Sequence, residues 1–136
     1  MERIKRTLSG LPPAIFSLIT LIVIFYLTLF PHPLGEEMPP LFPGADKLVH
    51  AVMFGFLTLM LLLDKQRKNN WKTVTWATDF KAMMISACIG IAIEFAQFWM
   101  ALGRSFELFD MIADCIGVVV SGLAWIIFQP LWSFKN

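Results

Sequence analysis

The sequence predicts an all-α membrane protein with four transmembrane helices in one bundle and both termini in the cytoplasm. Three observations lead there. The 136 residues are 57% hydrophobic with a mean hydropathy of +0.69. Only 15% are charged, against about 25% in an average soluble domain. The apolar residues also fall into long runs without period-two alternation, which suits helices and not a barrel. The length fits a single domain, residues 1–136. A net charge of +1 gives no footprint for nucleic acid, so none is expected as a partner.

Four apolar segments are expected to span the membrane, at about 11–30, 47–63, 81–102 and 110–128. A helix needs about 20 apolar residues to cross a bilayer. The first and third segments meet this directly, and the second and fourth only when their polar outer turns are included. The start, MERIKRTLSGLPP, has the basic residues of a secretory signal. The apolar run after it exceeds the roughly 7–15 residues of a signal core, and no small-residue cleavage site follows, so it reads as an uncleaved anchor. Pro12 and Pro13 suit the first turn of that helix, where a missing N–H costs little.

Orientation follows from lysine and arginine. Arg3, Lys5, Arg6, Lys65, Arg67, Lys68, Lys72, Lys81 and Lys135 share one side, leaving Lys47 and Arg104 for the other; this nine-to-two division of the eleven basic residues places both termini inside. Trp71, Trp76, Trp125 and Trp132 fall where interfacial aromatics are expected on the inner side. The basic loop 65–72 reads as a topology determinant that also meets anionic lipid. The outer loop after the first span holds Pro31, Pro33, Pro39, Pro40 and Pro43, five of the eight prolines, so it is extended rather than helical. His32 within it reads as an ordinary loop residue. Cys88 and Cys115 lie inside apolar runs and read as small packing residues.

With the topology set, polar residues gather near one leaflet. Asp46, Lys47 and His50 open the second span, Glu94 and Gln97 close the third, and Asp110 and Asp114 open the fourth. Lys47/His50 and Glu94/Gln97 are i,i+3 and Asp110/Asp114 is i,i+4, so each pair shares one helical face. Ser86 and Gly90, Ala51 and Gly55, and Ala113, Gly117 and Ser121 form small-residue stripes that let membrane helices approach closely. No ionisable residue is expected in the inner half of the bundle.

Membrane-embedded charge is costly, about 2.5–3.5 kcal/mol per residue on insertion scales. Two readings follow. The ions pair with one another and lock the bundle, or they form an outward-facing site. The number of converging groups favours a site, with Lys47, His50, Glu94, Gln97, Arg104, Asp110 and Asp114 as ligand-binding candidates. Lys47 and Arg104 would meet phosphate or carboxylate. An acid–base enzyme would use Glu94, His50 and Asp110. By ligand type His50, Glu94, Asp110 and Asp114 suit a metal, but no diagnostic spacing such as H-E-x-x-H is present, so neither metal nor cofactor is expected. The four spans lack inverted repeats, which argues against a transporter. A packing scaffold or partner subunit is the remaining alternative, and the oligomeric state stays open.

The same residues carry a resemblance. D-K-L-V-H (Asp46–His50), E-F-A-Q (Glu94–Gln97), G-R-S-F-E-L-F-D (Gly103–Asp110) and I-A-D-C-I-G (Ile112–Gly117) resemble, in order and spacing, the VanZ-like family of small bacterial membrane proteins. The family pattern is D-K-x-x-H, E-x-x-Q, an Arg, then D-x-x-x-N-x-x-G. This chain has Asp114 where Asn is usual, which adds a carboxylate, and Phe54 where an aromatic, often Tyr, is usual. The family's namesake is associated with reduced sensitivity to teicoplanin, a lipid-tailed glycopeptide that acts at the outer face. The resemblance therefore implies a cell-envelope role in the cytoplasmic membrane, with membrane lipid or an amphiphilic envelope ligand (a lipid headgroup, cell-wall precursor or lipoglycopeptide) as partner. It implies no mechanism.

Overall fold

The computed structural model of the chain describes residues 2–30, 42–100 and 107–133. These form five helices: α1 Glu2–Ser9, α2 Ile15–Leu29, α3 Ala45–Lys68, α4 Trp76–Met100 and α5 Leu108–Trp132. Three are long and apolar enough to cross a membrane, Ala45–Lys68, Trp76–Met100 and Leu108–Leu131; Ile15–Leu29 is a shorter apolar helix. The long helices run beyond the expected spans because their polar end turns stay helical. At about 1.5 Å per residue, the 24 residues of α3 reach roughly 36 Å, whereas the 15 of α2 reach only about 22 Å.

The start of α2 differs from the sequence expectation. Pro12 and Pro13 precede the helix instead of forming its first turn, and Ala14 adopts a left-handed φ of 59° with no capping side chain of its own. The cap comes from α3. Asp64 Oδ2 accepts hydrogen bonds from the backbone N–H of Ser17 (2.9 Å) and from its hydroxyl (2.8 Å), satisfying a donor that a helix start leaves free. Arg67 completes the junction. One guanidinium nitrogen reaches Asp64 Oδ1 at 2.6 Å, and the others donate to the carbonyls of Leu8 and Leu11 where α1 ends.

α3 touches every other helix, and its contact with α5 is the most extensive. Small residues permit that approach. A Cβ on Gly117 would lie 2.0 Å from the Ala51 carbonyl oxygen, so only glycine fits where α5 crosses α3. Gly44, at φ 84°, supplies the left-handed turn from which α3 starts. The interior holds Ile24, Phe54, Leu57, Ile93 and Val118, with a second cluster of Leu62, Ala82 and Trp125 toward the other end.

Several expectations need correction. Asp64, Arg67 and Asp79 are buried ionisable groups at the end of the helices opposite His50, so that end also holds buried ionisable side chains, contrary to the sequence expectation. The first half of the segment read as a basic loop is helix; Lys65–Lys68 belong to α3, and Arg67 is buried against Asp64 rather than facing lipid headgroups. Trp71 and Trp125 are buried, and Trp71 Nε1 donates to Ser9 Oγ at 2.8 Å, whereas Trp76 is exposed. Cys88 and Cys115 are free thiols on exposed helix faces, not packing residues. The apolar runs around them cover all sides of each helix, so periodicity could not tell an inward from an outward position.

Candidate functional site

The polar ends of α3, α4 and α5 meet at one end of the helices. Each contributes an i,i+3 or i,i+4 pair, which places both members on one helical face. The resulting cluster has two tiers.

The outer tier surrounds Lys47. Its ammonium lies 2.7 Å from Glu107 Oε2 and 3.0 Å from Asp110 Oδ1, and it also pairs with the adjacent Asp46. Side-chain exposure falls from 54% at Asp46 and 46% at Glu107 to 31% at Lys47 and 13% at Asp110, so the tier leads from solvent or headgroups inward.

The inner tier surrounds His50 and is almost wholly buried. His50 Nδ1 donates to Asp114 Oδ1 at 3.0 Å and lies 3.9 Å from Glu94 Oε1. The other ring nitrogen, Nε2, lies 3.8 Å from Asp110 Oδ2. Asp110 therefore belongs to both tiers, with one oxygen on Lys47 and the other toward His50. Glu94 is fully buried and Asp114 2% exposed. Glu94 Oε2 accepts a long hydrogen bond (3.4 Å) from the Glu107 backbone N–H. Glu94 Oε1 and Asp114 Oδ2 have no hydrogen-bond partner among the described residues. Among the described residues five carboxylates thus face one lysine and one histidine, an acidic balance for a largely dehydrated place.

The absent side chain of Gly90 makes room for this tier. A Cβ there would stand 2.9 Å from Asp114 Oδ2, so α4 carries a glycine where the α5 carboxylate enters. Phe54 forms the apolar floor beneath, fully buried and 3.3 Å from the same Cβ position.

The seven predicted positions separate as follows. Lys47, His50, Glu94, Asp110 and Asp114 come together. Gln97 is buried beside them in sequence but donates its amide to the Thr28 carbonyl at 2.9 Å, which ties α4 to the end of α2. Arg104, like His32, lies outside the described residues. Glu107 and Asp46 were not among the candidates although both touch Lys47. The available signal for Glu107 was its i,i+3 spacing to Asp110. A separate polar knot joins Asp79 on α4 to Gln129 on α5 (3.0 Å), and Gln129 Oε1 accepts from the Val74 N–H. No sequence pattern marked it, because its members stand singly in apolar surroundings.

An all-helical chain with three long apolar helices and a charged cluster at their shared end is an integral membrane protein. The family model for VanZ/LLP1 matches residues 16–129, and the chain belongs to that family. The match includes the whole two-tier cluster and all of α3 and α4. Neither the curated proteins nor the solved structures contain a match to this chain.

Proposed function

We propose that this VanZ/LLP1 protein is a multi-pass protein of the bacterial cytoplasmic membrane whose two-tier cluster holds the polar head of an amphiphile at the outer leaflet. Candidate amphiphiles are a membrane lipid, a cell-wall precursor or a lipoglycopeptide. The supporting observation is the continuity from the half-exposed Lys47–Glu107 rim to the buried His50–Glu94–Asp114 interior. An ion pair that only fastens two helices needs two groups, and this cluster has seven. The outward orientation rests on the nine-to-two division of basic residues. The acidic balance suits a headgroup that brings an amine or hydroxyls; a phosphate would reach Lys47 only by displacing one of its three carboxylate partners. A role in the response to glycopeptides such as teicoplanin follows if the bound amphiphile is a cell-wall precursor or the drug itself.

The test is lipid retention. Native mass spectrometry of the detergent-solubilised protein should show one co-purifying amphiphile per chain, lost in Lys47→Ala and Glu94→Ala at unchanged expression. Sensitivity of the producing strain to envelope-directed drugs should shift in the same variants. Unchanged retention and unchanged sensitivity in both would sink the reading.

A second reading is favoured by one contact. His50, held by Asp114 and next to the unpartnered Glu94 oxygen, has the arrangement of an oriented base beside an acid. Acid–base chemistry on a lipid-linked substrate would then leave that substrate accumulated in a Glu94→Gln strain, visible by lipid mass spectrometry.

A further inference from the structure

We propose that His50, Glu94 and Asp110 form a binding site for a divalent transition-metal ion, with Asp114 as the residue that orients the His50 ring. The inference is independent of which amphiphile, if any, the cluster meets.

Three observations carry it. The first is geometry. One ring nitrogen of His50, one oxygen of Glu94 and one of Asp110 lie within 4.8 Å of one another. Donors about 2.0–2.2 Å from a common zinc ion are separated by roughly 3–4 Å, so a small contraction brings these three around one ion. They come from three different helices, so a metal there would clamp α3, α4 and α5 together.

The second is the unfilled hydrogen-bonding capacity. Glu94 is 0% exposed, and its Oε1 points into the cluster, 3.9 Å from His50, without a hydrogen-bond partner among the described residues. Buried carboxylate oxygens are ordinarily satisfied, and each exception requires a cause. Asp114 Oδ2 is a second such atom in the same tier. A cation beside Glu94 Oε1 supplies what no donor among the described residues does.

The third is the histidine's own arrangement. Metal-bound histidines commonly donate their other ring N–H to a carboxylate, which fixes the ring and its tautomer. With the Asp114 carboxylate accepting from Nδ1 at 3.0 Å, Nε2 is the nitrogen left to ligate, on the side of Asp110 Oδ2; Glu94 Oε1 lies on the Nδ1 side, 3.9 Å from that atom, so its side chain must turn toward Nε2 when the ion binds.

The outer tier offers a competing set, Asp46, Glu107 and Asp110. Lys47 already sits among those three carboxylates with its ammonium in contact with each, so that place has its cation. The inner set has no lysine or arginine among the described residues. One imidazole with two carboxylates suits a borderline ion such as Zn²⁺ or Mn²⁺, and three protein ligands leave a position open for water or a ligand oxygen.

The experiment uses the full-length protein in detergent, purified without a histidine tag, stripped with EDTA and then equilibrated with Zn²⁺ or Mn²⁺. Metal content per chain is read by elemental mass spectrometry and thermal stability by unfolding with and without metal. The expected result is one tightly held ion per chain and a melting temperature that rises with metal and falls back with EDTA. Glu94→Gln and Asp110→Asn, each nearly isosteric, should lose both retention and the thermal response while staying monodisperse. Asp114→Ala should weaken affinity about 10–100-fold, the usual effect of removing the partner of a ligating histidine. Asp114→Asn, which still accepts from Nδ1, should weaken it less. Asp79→Asn, a buried carboxylate at the other end, should retain the ion. Less than stoichiometric retention by the wild type, or equal retention by Glu94→Gln and Asp110→Asn, would overturn the proposal.

Discussion

His50 and Asp114 stand 64 residues apart in sequence, yet their Nδ1 and Oδ1 atoms are 3.0 Å apart in an almost dehydrated place between α3 and α5. The bond fixes the histidine ring and sets which nitrogen faces Asp110. It also joins the two helices that share the largest contact in the molecule.

The first prediction concerns that bond. Asp114→Ala leaves the His50 N–H buried without an acceptor, and such an orphan costs about 1–3 kcal/mol. Asp114→Asn keeps an acceptor of the same shape and removes a charge from an acidic tier. Thermal unfolding in detergent, with EDTA present, should therefore rank Asn close to the wild type and Ala clearly below it. A melting temperature for Asp114→Ala equal to the wild type would show that the bond contributes nothing.

A second prediction tests the close approach of α3 and α5. The Cβ of Gly117→Ala would enter the Ala51 backbone, where no flexible side chain can move aside. Overpacking typically costs about 1–3 kcal/mol, and a clash with backbone belongs at or above the top of that range. Gly117→Leu should give little folded protein. By contrast Gly10→Ala, whose Cβ meets only the Thr7 carbonyl oxygen at 3.5 Å, should unfold within a few degrees of the wild type.

The third prediction falls at the opposite end. Arg67 is the only cation in contact with buried Asp64 among the described residues, and it also holds the Leu8 and Leu11 carbonyls where α1 ends. Removing one member of a buried pair costs about 3–5 kcal/mol, because the other charge is left uncompensated. Arg67→Met should be strongly destabilised. Asp64→Asn combined with Arg67→Met keeps an acceptor for the Ser17 N–H and removes the stranded charge, so it should recover part of the loss. A double variant no better than the single would refute this account.

How far the sequence went is seen in these same residues. Helical spacing put Lys47 with His50 and Asp110 with Asp114 on common faces, and the small residues Ala51, Gly55, Gly90 and Gly117 marked where helices touch. Those features follow from periodicity and size, which a linear chain displays. The Asp64–Arg67 junction was not legible. Both residues follow a long apolar run, where charge ordinarily means that the helix has left the membrane, and only the chain turning back through Leu8, Leu11 and Ser17 makes that place an interior. Gln97 was read with Glu94 because they share a face, yet one side chain turns to α2 and the other to α5. Spacing fixes a face and does not choose among the neighbours along it. The exposure of Cys88 and Cys115 was hidden for a similar reason, since a helix apolar all round shows no inside.

The last prediction uses those two cysteines to test orientation. Cys88 and Cys115 are free and exposed, so replacing both by alanine should change stability by no more than about 0.5 kcal/mol, as for other surface positions. Single cysteines can then be placed at two exposed sites at opposite ends, Glu107→Cys at the exposed rim of the two-tier cluster and Lys72→Cys beyond the end of α3. If the cluster faces outward, a membrane-impermeant maleimide added to intact spheroplasts should label the first and leave the second unlabelled until the membrane is opened. The basic residues around Lys72 resist translocation, and the loop holding Glu107 lacks that excess. The reverse pattern would put the cluster in the cytoplasm and turn the search from envelope amphiphiles to cytoplasmic partners. Labelling of both positions in spheroplasts that still exclude the reagent from a cytoplasmic control protein would instead mean that the chain inserts in two orientations.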